Sequence, residues 1–260
     1  MAPIALTIAG SDPTGGAGIQ ADLKTFYRFG VYGQAAITLI TVQNSLRMFR
    51  VEVLAPDLVA EQIEAMLEDY SPAAVKTGAL GSAGIVEVIA RIAARFRFPL
   101  VVDPVMVSKH GGRLLLEDTL DAMRTLLLPR AALITPNLAE AEALTGMAIG
   151  SPGEMRAAAR RLQEMGAGAV LVKGGHLEGD AVDILFDGAA FREFAAPRVI
   201  TRHTHGTGCT YSAAITAGLA RGLALGDAVG RAKEFITEAI RTNPGLGRGA
   251  GPVNHFAEAR

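Results

Sequence analysis

The chain has 260 residues, half of them hydrophobic, and its 25 basic residues nearly balance its 26 acidic residues. This balance, without a basic block, excludes the electrostatic signature of a protein that binds nucleic acid or an anionic membrane, and it indicates a small-molecule partner. A single cysteine excludes an internal disulfide, and we find no signal peptide and no apolar run long enough to span a membrane. We therefore expect a cytoplasmic protein, with residues 1–260 forming one domain.

Short apolar runs predict the strands of a parallel sheet that is buried on both faces. They are rich in β-branched residues and lack strict alternation of apolar and polar positions, as such strands require. The runs lie at 4–10, 35–43, 73–79, 99–105, 131–137 and 169–175. Ligands of open parallel sheets bind beyond the carboxyl ends of the strands. Polar residues gather at these predicted ends, so we expect the functional site there.

Helices and one hairpin complete the predicted fold. Helical patterns lie at 56–70, 153–167, about 206–222 and 226–242. Two alternating runs on either side of Asp187 and Gly188 predict a β-hairpin, which would place antiparallel strands at an edge of the sheet. The fold class is therefore α/β, with a mostly parallel central sheet, helices on both faces and antiparallel edge strands.

The first glycine cluster, residues 9–26, matches two nucleotide-binding motifs only in part. Gly16 to Ala21 fit the dinucleotide-binding pattern GxGxxA. The acidic residue that binds the ribose in such proteins is missing, because no Asp or Glu lies between Asp22 and Glu52. A phosphate-binding P-loop is excluded as well, because the glycine at 15 is not followed by lysine and serine or threonine. The cluster has another role or is a plain turn into a helix.

Polar residues at or just beyond three strand ends each allow a functional and a structural interpretation. Asp103, after an apolar strand, is suited to a metal or phosphate, or to a turn before Pro104. Asn137 and Glu140 could face a ligand, but taken alone they favour a helix cap with its reciprocal acid. Lys173 would need a buried partner in the absence of a ligand, and a phosphate contact is the better interpretation.

The only cysteine, Cys209, follows Gly206 and Gly208 at the start of a helix rich in small residues. The glycines let the backbone turn tightly, and the helix start offers N–H groups and a positive dipole end to an anion. This environment predicts a lowered thiol pKa and a role for Cys209 as base or nucleophile. The structural alternatives are a glycine cap and a cysteine that packs as a small hydrophobe.

The motifs resemble, in sequence and in order, the hydroxymethylpyrimidine/phosphomethylpyrimidine kinases of thiamine biosynthesis, a family of the ribokinase-like superfamily. The resemblance runs from Ile4 to Phe256. It rests on TIAGSDPTGGAGIQADLKTF, TVQN, KTGAL, VVDPVM, LITPNLAEAEAL, VLVKGGH, THGTGCTYSAAI and GPVNHF. It implies a ribokinase-like fold and an enzyme that uses ATP and Mg²⁺. The implied enzyme phosphorylates 4-amino-5-hydroxymethyl-2-methylpyrimidine to its monophosphate and then to its diphosphate at one site, usually as a homodimer.

The resemblance also implies a role for each matching residue. The turn Gly206, Thr207, Gly208 and Cys209 would form the anion hole for the transferred phosphoryl group, with Cys209 accepting the hydroxymethyl proton. Asp22 and Gln43 would hydrogen-bond the aminopyrimidine, and Asp103 and Glu140 would bind Mg²⁺. Further implied positions are Gly10, Ala79 and Val105 for the pyrimidine, and Asn137, Glu140, Lys173, Thr204 and Lys233 for ATP.

Two departures from the family pattern concern the pyrimidine end of the site. Residues 44–54 lack the usual glycine-containing run, and Ala79 replaces a methionine found in some relatives. A pyridoxal or pyridoxine kinase is therefore the alternative within the same chemistry. A hydrolase pairing Cys209 with His203 or His205, and a ligand-binding protein without catalysis, are the alternatives of other classes.

Overall fold

The computed structural model describes residues 2–106, 117–175 and 179–258. Its strands are β1 (Ile4–Ser11), β2 (Tyr32–Gln43), β3 (Met48–Val53), β4 (Ala74–Thr77), β5 (Leu100–Val102), β6 (Leu133–Ile134), β7 (Val170–Lys173), β8 (Ala181–Phe186) and β9 (Phe191–Ala196). Within the described residues they form one sheet in the order β3-β2-β1-β4-β5-β6-β7-β8-β9.

The six inner strands of the sheet, from β2 to β7 in spatial order, run parallel. At one edge β3 pairs antiparallel with β2, and at the other β8 and β9 form the antiparallel hairpin predicted around Asp187 and Gly188. The predicted α/β class, the parallel sheet and the antiparallel edges are thereby confirmed.

The helices of the described residues cover both faces of the sheet. They are α1 (Gly18–Arg28), α2 (Pro56–Asp69), α3 (Ala83–Ala93), α4 (Glu117–Ala122), α5 (Leu138–Thr145), α6 (Pro152–Glu164), α7 (Thr207–Ala220) and α8 (Leu225–Arg241). A π-helical turn at Met123–Leu127 and a 3-10 turn at Leu128–Arg130 follow α4. None of these helices is long and apolar enough to cross a bilayer.

Two apolar layers hold the helices to the sheet. One face is covered by α1, α7 and α8, where Phe29 and Phe235 meet edge to face at 5.1 Å between ring centroids. The other is covered by α2, α3, α5 and α6, with Ile63, Ile89 and Leu162 fully buried. Each such large side chain stabilises the fold by about 1.5–3 kcal/mol through the apolar surface that it removes from water.

The packing of α7 fixes the position of the predicted anion hole. The helix is buried along most of its length because its small side chains allow close approach to the sheet and to α8. At Gly218, a Cβ atom would lie only 2.9 Å from the Cβ of Ala228. Helix α7 therefore cannot slide along its neighbours, and its first turn is held at the carboxyl edge of the sheet.

Two details differ from the sequence predictions. Residues 44–54, to which no strand was assigned, contain β3, whose side chains are largely exposed and so give a weak apolar signal. In α2, the apolar pattern of the sequence predicts that Leu58 shares the buried face with Ile63, but Leu58 is 46% exposed while Val59 and Ile63 are buried. The rest of the predicted apolar face, Ile63, Met66 and Leu67, packs against the core, so the difference is confined to the first turn.

Candidate active site

A pocket of about 750 Å³ lies beyond the carboxyl ends of the parallel strands, where the sequence predicted a ligand site. Its wall combines strand ends, the loop before α1 and the first turn of α7. Fourteen predicted site residues line it, namely Gly10, Gln43, Ala79, Asp103, Val105, Asn137, Glu140, Lys173, Thr204, Gly206, Thr207, Gly208, Cys209 and Lys233. Residues as far apart in the sequence as Gly10 and Lys233 thus share one cavity.

The turn at Gly206 has a shape that only glycine allows. Gly206 caps α7 with a φ of +79°, and a Cβ atom there would overlap the carbonyl oxygen of Gly16. The helix supplies no partner for the N–H groups of its first turn, and Thr207 N–H is directed at the Thr204 carbonyl at 3.3 Å. The N–H groups of Gly208 and Cys209 are therefore available to an anion in the pocket.

The first glycine cluster supports this turn. Asp12 is 2% exposed, and its Oδ2 accepts hydrogen bonds from His205 Nε2, Thr14 Oγ1 and the Ala17 N–H, each at 2.8 Å. Burial alone would raise the pKa of Asp12, but the bonds from His205 and Thr14 outweigh it and hold the pKa well below its usual value. The Asp12 carboxylate thus joins the loop before α1 to the residue preceding Gly206.

The prediction of a lowered thiol pKa at Cys209 is wrong. Burial raises the pKa of this thiol to about 12, and the charges of Asp22 and Asp103 act in the same direction. The Lys76 ammonium and the Gly18 N–H oppose the rise without cancelling it. Sequence alone shows the helix start, which favours a thiolate, but not the burial, which disfavours it more.

Lys173 and Asp103 form an ion pair beside the anion hole. Lys173 Nζ lies 3.2 Å from Asp103 Oδ1, and Ser212 of α7 donates to Asp103 Oδ2 at 3.1 Å. A Cβ atom on Gly208 would lie 3.5 Å from the Lys173 ammonium, so this cation borders the anion hole. The buried partner that Lys173 needs is therefore Asp103, and its charge faces the place where a phosphate would bind.

Asn137 and Glu140 form the capping box that their spacing allowed. Asn137 Oδ1 accepts from the Glu140 N–H at 2.9 Å, and Glu140 Oε2 accepts from the Asn137 N–H at 2.7 Å. Burial raises the pKa of Glu140 to about 7, against the opposing charge of Lys173. Both side chains also line the pocket, so the structural role leaves a ligand role open.

The described residues contain no group of three or more His, Cys, Asp or Glu side chains that could hold a metal ion on their own. Magnesium needs less from the protein, because it usually binds one or two carboxylates together with substrate phosphates and water. Asp103 and Glu140 both line the pocket, and their oxygen donors suit this ion. The residues present therefore fit a Mg²⁺ that arrives with phosphates.

Lys233 lines the pocket, but its ammonium is already engaged. It donates to Asp183 Oδ2 at 2.7 Å and to the Ala181 carbonyl at 2.8 Å, and its side chain is 10% exposed. Asp183 in turn accepts from the Gly174 N–H at 3.0 Å. Lys233 thus holds β8 against the turn after β7 as well as lining the wall.

Asp22 is the predicted site residue that lies outside the pocket wall. Its carboxylate is fully buried, 2.9 Å from Lys76 Nζ through each oxygen and 2.6 Å from Thr7 Oγ1. Because both oxygens already accept hydrogen bonds from buried neighbours, they are poor partners for a pyrimidine amine. The direct contact between Asp22 and the pyrimidine stays a prediction.

Gln43, unlike Asp22, lines the pocket and has a side-chain oxygen without a hydrogen-bond donor among the described residues. Its side-chain oxygen Oε1 is buried in the pocket wall, and no hydrogen-bond donor of the described residues reaches it. An unpartnered buried acceptor costs about 1–3 kcal/mol unless a ligand donates to it. Met48 of strand β3 is paired with Gln43 in the sheet and also lines the pocket. The sequence around Met48 gave no signal for this role.

The two histidines near Cys209 are engaged with other groups. His205 Nε2 faces Asp12, and His203 Nδ1 accepts from the Gly251 N–H at 3.2 Å. A Cys-His hydrolase requires an imidazole on the thiol and a lowered thiol pKa. The geometry and the raised thiol pKa argue against that alternative.

Comparisons with known proteins agree with these features. The family model described as phosphomethylpyrimidine kinase matches residues 12–254. The hydroxymethylpyrimidine/phosphomethylpyrimidine kinase of Bacillus subtilis is 47% identical, covering 98% of this chain and 96% of that protein. The thiamine biosynthesis bifunctional protein ThiED of Geobacter sulfurreducens is 50% identical, and the match covers 98% of this chain but 52% of that longer protein. The solved structure of Bacillus subtilis pyridoxal kinase with ADP superposes with a TM-score of 0.91 at 39% identity, covering 99% of this chain and 98% of that one.

Proposed function

Because the chain belongs to the phosphomethylpyrimidine kinase family, we propose that the pocket at the carboxyl edge of its sheet carries out two successive phosphorylations of one pyrimidine. The chain is a hydroxymethylpyrimidine and phosphomethylpyrimidine kinase of thiamine biosynthesis, and it takes its phosphoryl groups from ATP. The observation that carries the one-site proposal is that the Gly206–Cys209 turn and the unpartnered side-chain oxygen of Gln43 line the same pocket.

The pyrimidine binds at the end of the pocket formed by the strands near β2. Gln43 Oε1 accepts a hydrogen bond from the 4-amino group, which relieves the cost of the buried, unpartnered oxygen. Gly10, Ala79 and Val105 border the same cavity and leave room for a flat ring. A molecule that lacks the amino group would leave Gln43 unsatisfied and would bind less tightly.

The transferred phosphoryl group lies against the first turn of α7. In phosphoryl transfer most of the catalysis comes from positioning and from neutralising charge on the phosphoryl oxygens. The N–H groups of Gly208 and Cys209 and the ammonium of Lys173 provide such neutralisation, and the buried Asp12–His205 link keeps the turn in place.

The nucleotide occupies the remaining part of the pocket, which is lined by Asn137, Glu140, Thr204 and Lys233. Lys233 contributes there mainly by holding β8 in place through Asp183, since its ammonium is hydrogen-bonded within the protein. Asp103 and Glu140 would hold Mg²⁺, which when bound would neutralise phosphate charge.

Cys209 serves the first phosphorylation only. The hydroxymethyl oxygen attacks the γ-phosphorus of ATP, the bond to ADP breaks, and the hydroxyl proton moves to the ionised sulphur of Cys209. The acceptor of the second phosphorylation is a phosphate oxygen, which carries negative charge at neutral pH because the second pKa of a phosphate monoester is about 6. That step needs no base.

A pyridoxal kinase activity is the second candidate, favoured by the close superposition on a pyridoxal kinase. We also propose a homodimer, in keeping with the exposed apolar side chains on β2 and β3, namely Tyr32, Ile40, Val42, Phe49 and Val53. The continuity of the sheet supports one domain over residues 1–260, and the need for ATP supports a cytoplasmic location.

Incubation with Mg-ATP and one acceptor at a time tests the proposal. We expect ADP release with hydroxymethylpyrimidine and with its monophosphate, and mass spectrometry should identify the diphosphate as the end product of both. Omission of Mg²⁺ should abolish both reactions. Phosphorylation of pyridoxal alone would overturn the proposal in favour of the second candidate.

A further inference from the structure

The buried pair of Lys76 and Asp22 has no role in the chemistry described so far. Both side chains are 0% exposed, and they lie within the apolar layer that α1, α7 and α8 form on the sheet. Two charges taken out of water cost several kcal/mol each before their attraction is counted, and apolar replacements of buried ion pairs are often as stable. Stability alone is therefore a weak reason for placing a lysine and an aspartate here.

The position of the pair relates it to the pocket. Strand side chains alternate between the two faces, and Lys76 shares the face of Ala74, which packs in the layer containing α1 and α7. Its ammonium reaches toward the carboxyl edge, since a Cβ atom on Gly78 would lie 3.7 Å from Lys76 Nζ. Asp22 follows Gly18 by one turn of α1 and so lies on the same side of that helix. Gly18 lines the pocket and its N–H faces the thiol of Cys209.

The charge of Lys76 acts on Cys209. Burial would lower the pKa of Lys76, but the carboxylate of Asp22, together with the negative charges of Cys209 and Asp103, outweighs this and raises it, so the ammonium keeps its proton. Four charged groups interact electrostatically with the Cys209 thiol, namely Lys76 of β4, Asp22 of α1, Asp103 after β5 and Lys173 of β7. Among the charges that act on the pKa of this thiol, that of Lys76 has the largest effect, and it favours the thiolate.

We infer that Lys76, held by Asp22, is a positioning residue for the kinase reaction, supplying the buried positive charge that lets the sulphur of Cys209 become negative. This inference rests on the proposed role of Cys209 as the acceptor of the hydroxymethyl proton. It gives Asp22 the role of holding the Lys76 ammonium in place. Thr7, which donates to Asp22 Oδ2 at 2.6 Å, completes the support.

The single cysteine makes the inference directly measurable, because every thiol signal comes from Cys209. The rate of alkylation by iodoacetamide, followed by intact mass between pH 8 and 10, reports the thiolate fraction. We expect Lys76→Met to be alkylated about tenfold more slowly than the wild type, or slower, which corresponds to one pKa unit or more. The double variant Lys76→Met with Asp22→Leu removes both buried charges and leaves no unpaired carboxylate. Because the charge of Asp22 raises the pKa of Cys209 by less than Lys76 lowers it, this variant should be alkylated faster than Lys76→Met but still more slowly than the wild type.

Lys233→Met is the matched control for alkylation. It breaks another buried Lys–Asp pair at the pocket, and Lys233 is not among the main causes of the shifted pKa of Cys209. Its alkylation rate should stay within about twofold of the wild type, a shift of less than one pKa unit. Wild-type alkylation rates in folded Lys76 variants would overturn the inference. The assay contains no substrate, so it can fail while the kinase activity stands, and the absence of kinase activity in the wild type would instead overturn the proposed function.

Discussion

Replacement of Cys209 by alanine is expected to lower kcat for hydroxymethylpyrimidine by about 10²–10⁴, the usual contribution of a general base. The second reaction, which starts from the monophosphate, should lose less than about tenfold, because its phosphate acceptor is already ionised at neutral pH. Steady-state kcat values for the two acceptors, measured by ADP release, give the comparison. Cys209→Ser, which keeps the size of the side chain, should behave like the alanine variant because a hydroxyl is a weaker source of the ionised base.

The pH dependence of the wild-type rates provides an independent test of Cys209 as the base. Because burial raises the pKa of Cys209 to about 12, the ionised fraction of the thiol grows with pH through the whole range from 7 to 9. The rate of the first reaction should therefore rise over this range, while the second should level off above the phosphate pKa of about 6. Equal losses for both acceptors in Cys209→Ala, with parallel pH profiles in the wild type, would contradict the role of Cys209 as base.

Replacement of Gly206 by alanine is expected to lower kcat for both acceptors by at least about 10²–10³, the loss typical of a damaged oxyanion hole. Both reactions depend on the same N–H groups, so both should suffer alike. The reason is steric, since a Cβ atom on Gly206 would overlap the Gly16 carbonyl oxygen and push the first turn of α7 away from the pocket. Measured kcat values, with circular dichroism to verify folding, provide the test.

Gly222→Ala is the matched control for this glycine substitution. Gly222 has a φ of +80°, almost the same as the +79° of Gly206, but no atom lies within 4 Å of a Cβ built there. Alanine at this position costs only the backbone strain, about 1–2 kcal/mol. It should lower the melting temperature and leave kcat unchanged. Comparable kcat losses in the two variants would show that positive φ, and not the contact with Gly16, determines the effect.

The sequence predicts most of the architecture because strand and helix patterns reflect burial on the sheet. Strands β1, β2, β4, β5, β6 and β7 and the β8–β9 hairpin follow from apolar runs and turn residues. Strand β3 escapes prediction because it is an exposed edge strand, so its side chains need not be apolar. The ends of the shorter inner strands are also overestimated, since apolar residues continue into the loops that line the pocket.

The site is predictable where a local motif determines it and not where distant residues decide. The Gly206–Cys209 turn and the Asn137–Glu140 cap are local, and both are found as expected. The state of the Cys209 thiol depends on burial and on Lys76, which lies more than a hundred residues earlier in the chain. The partnership of Lys76 with Asp22 likewise spans 54 positions. Single-sequence patterns contain no information about such pairs.

Competition between the two acceptors tests the central claim that one pocket performs both phosphorylations. The rate of monophosphate formation from hydroxymethylpyrimidine should be measured at saturating Mg-ATP with increasing amounts of phosphomethylpyrimidine. A single pocket predicts competitive inhibition, with an inhibition constant equal to the KM of phosphomethylpyrimidine as a substrate. Phosphorylation of the two acceptors at independent, additive rates would contradict the account.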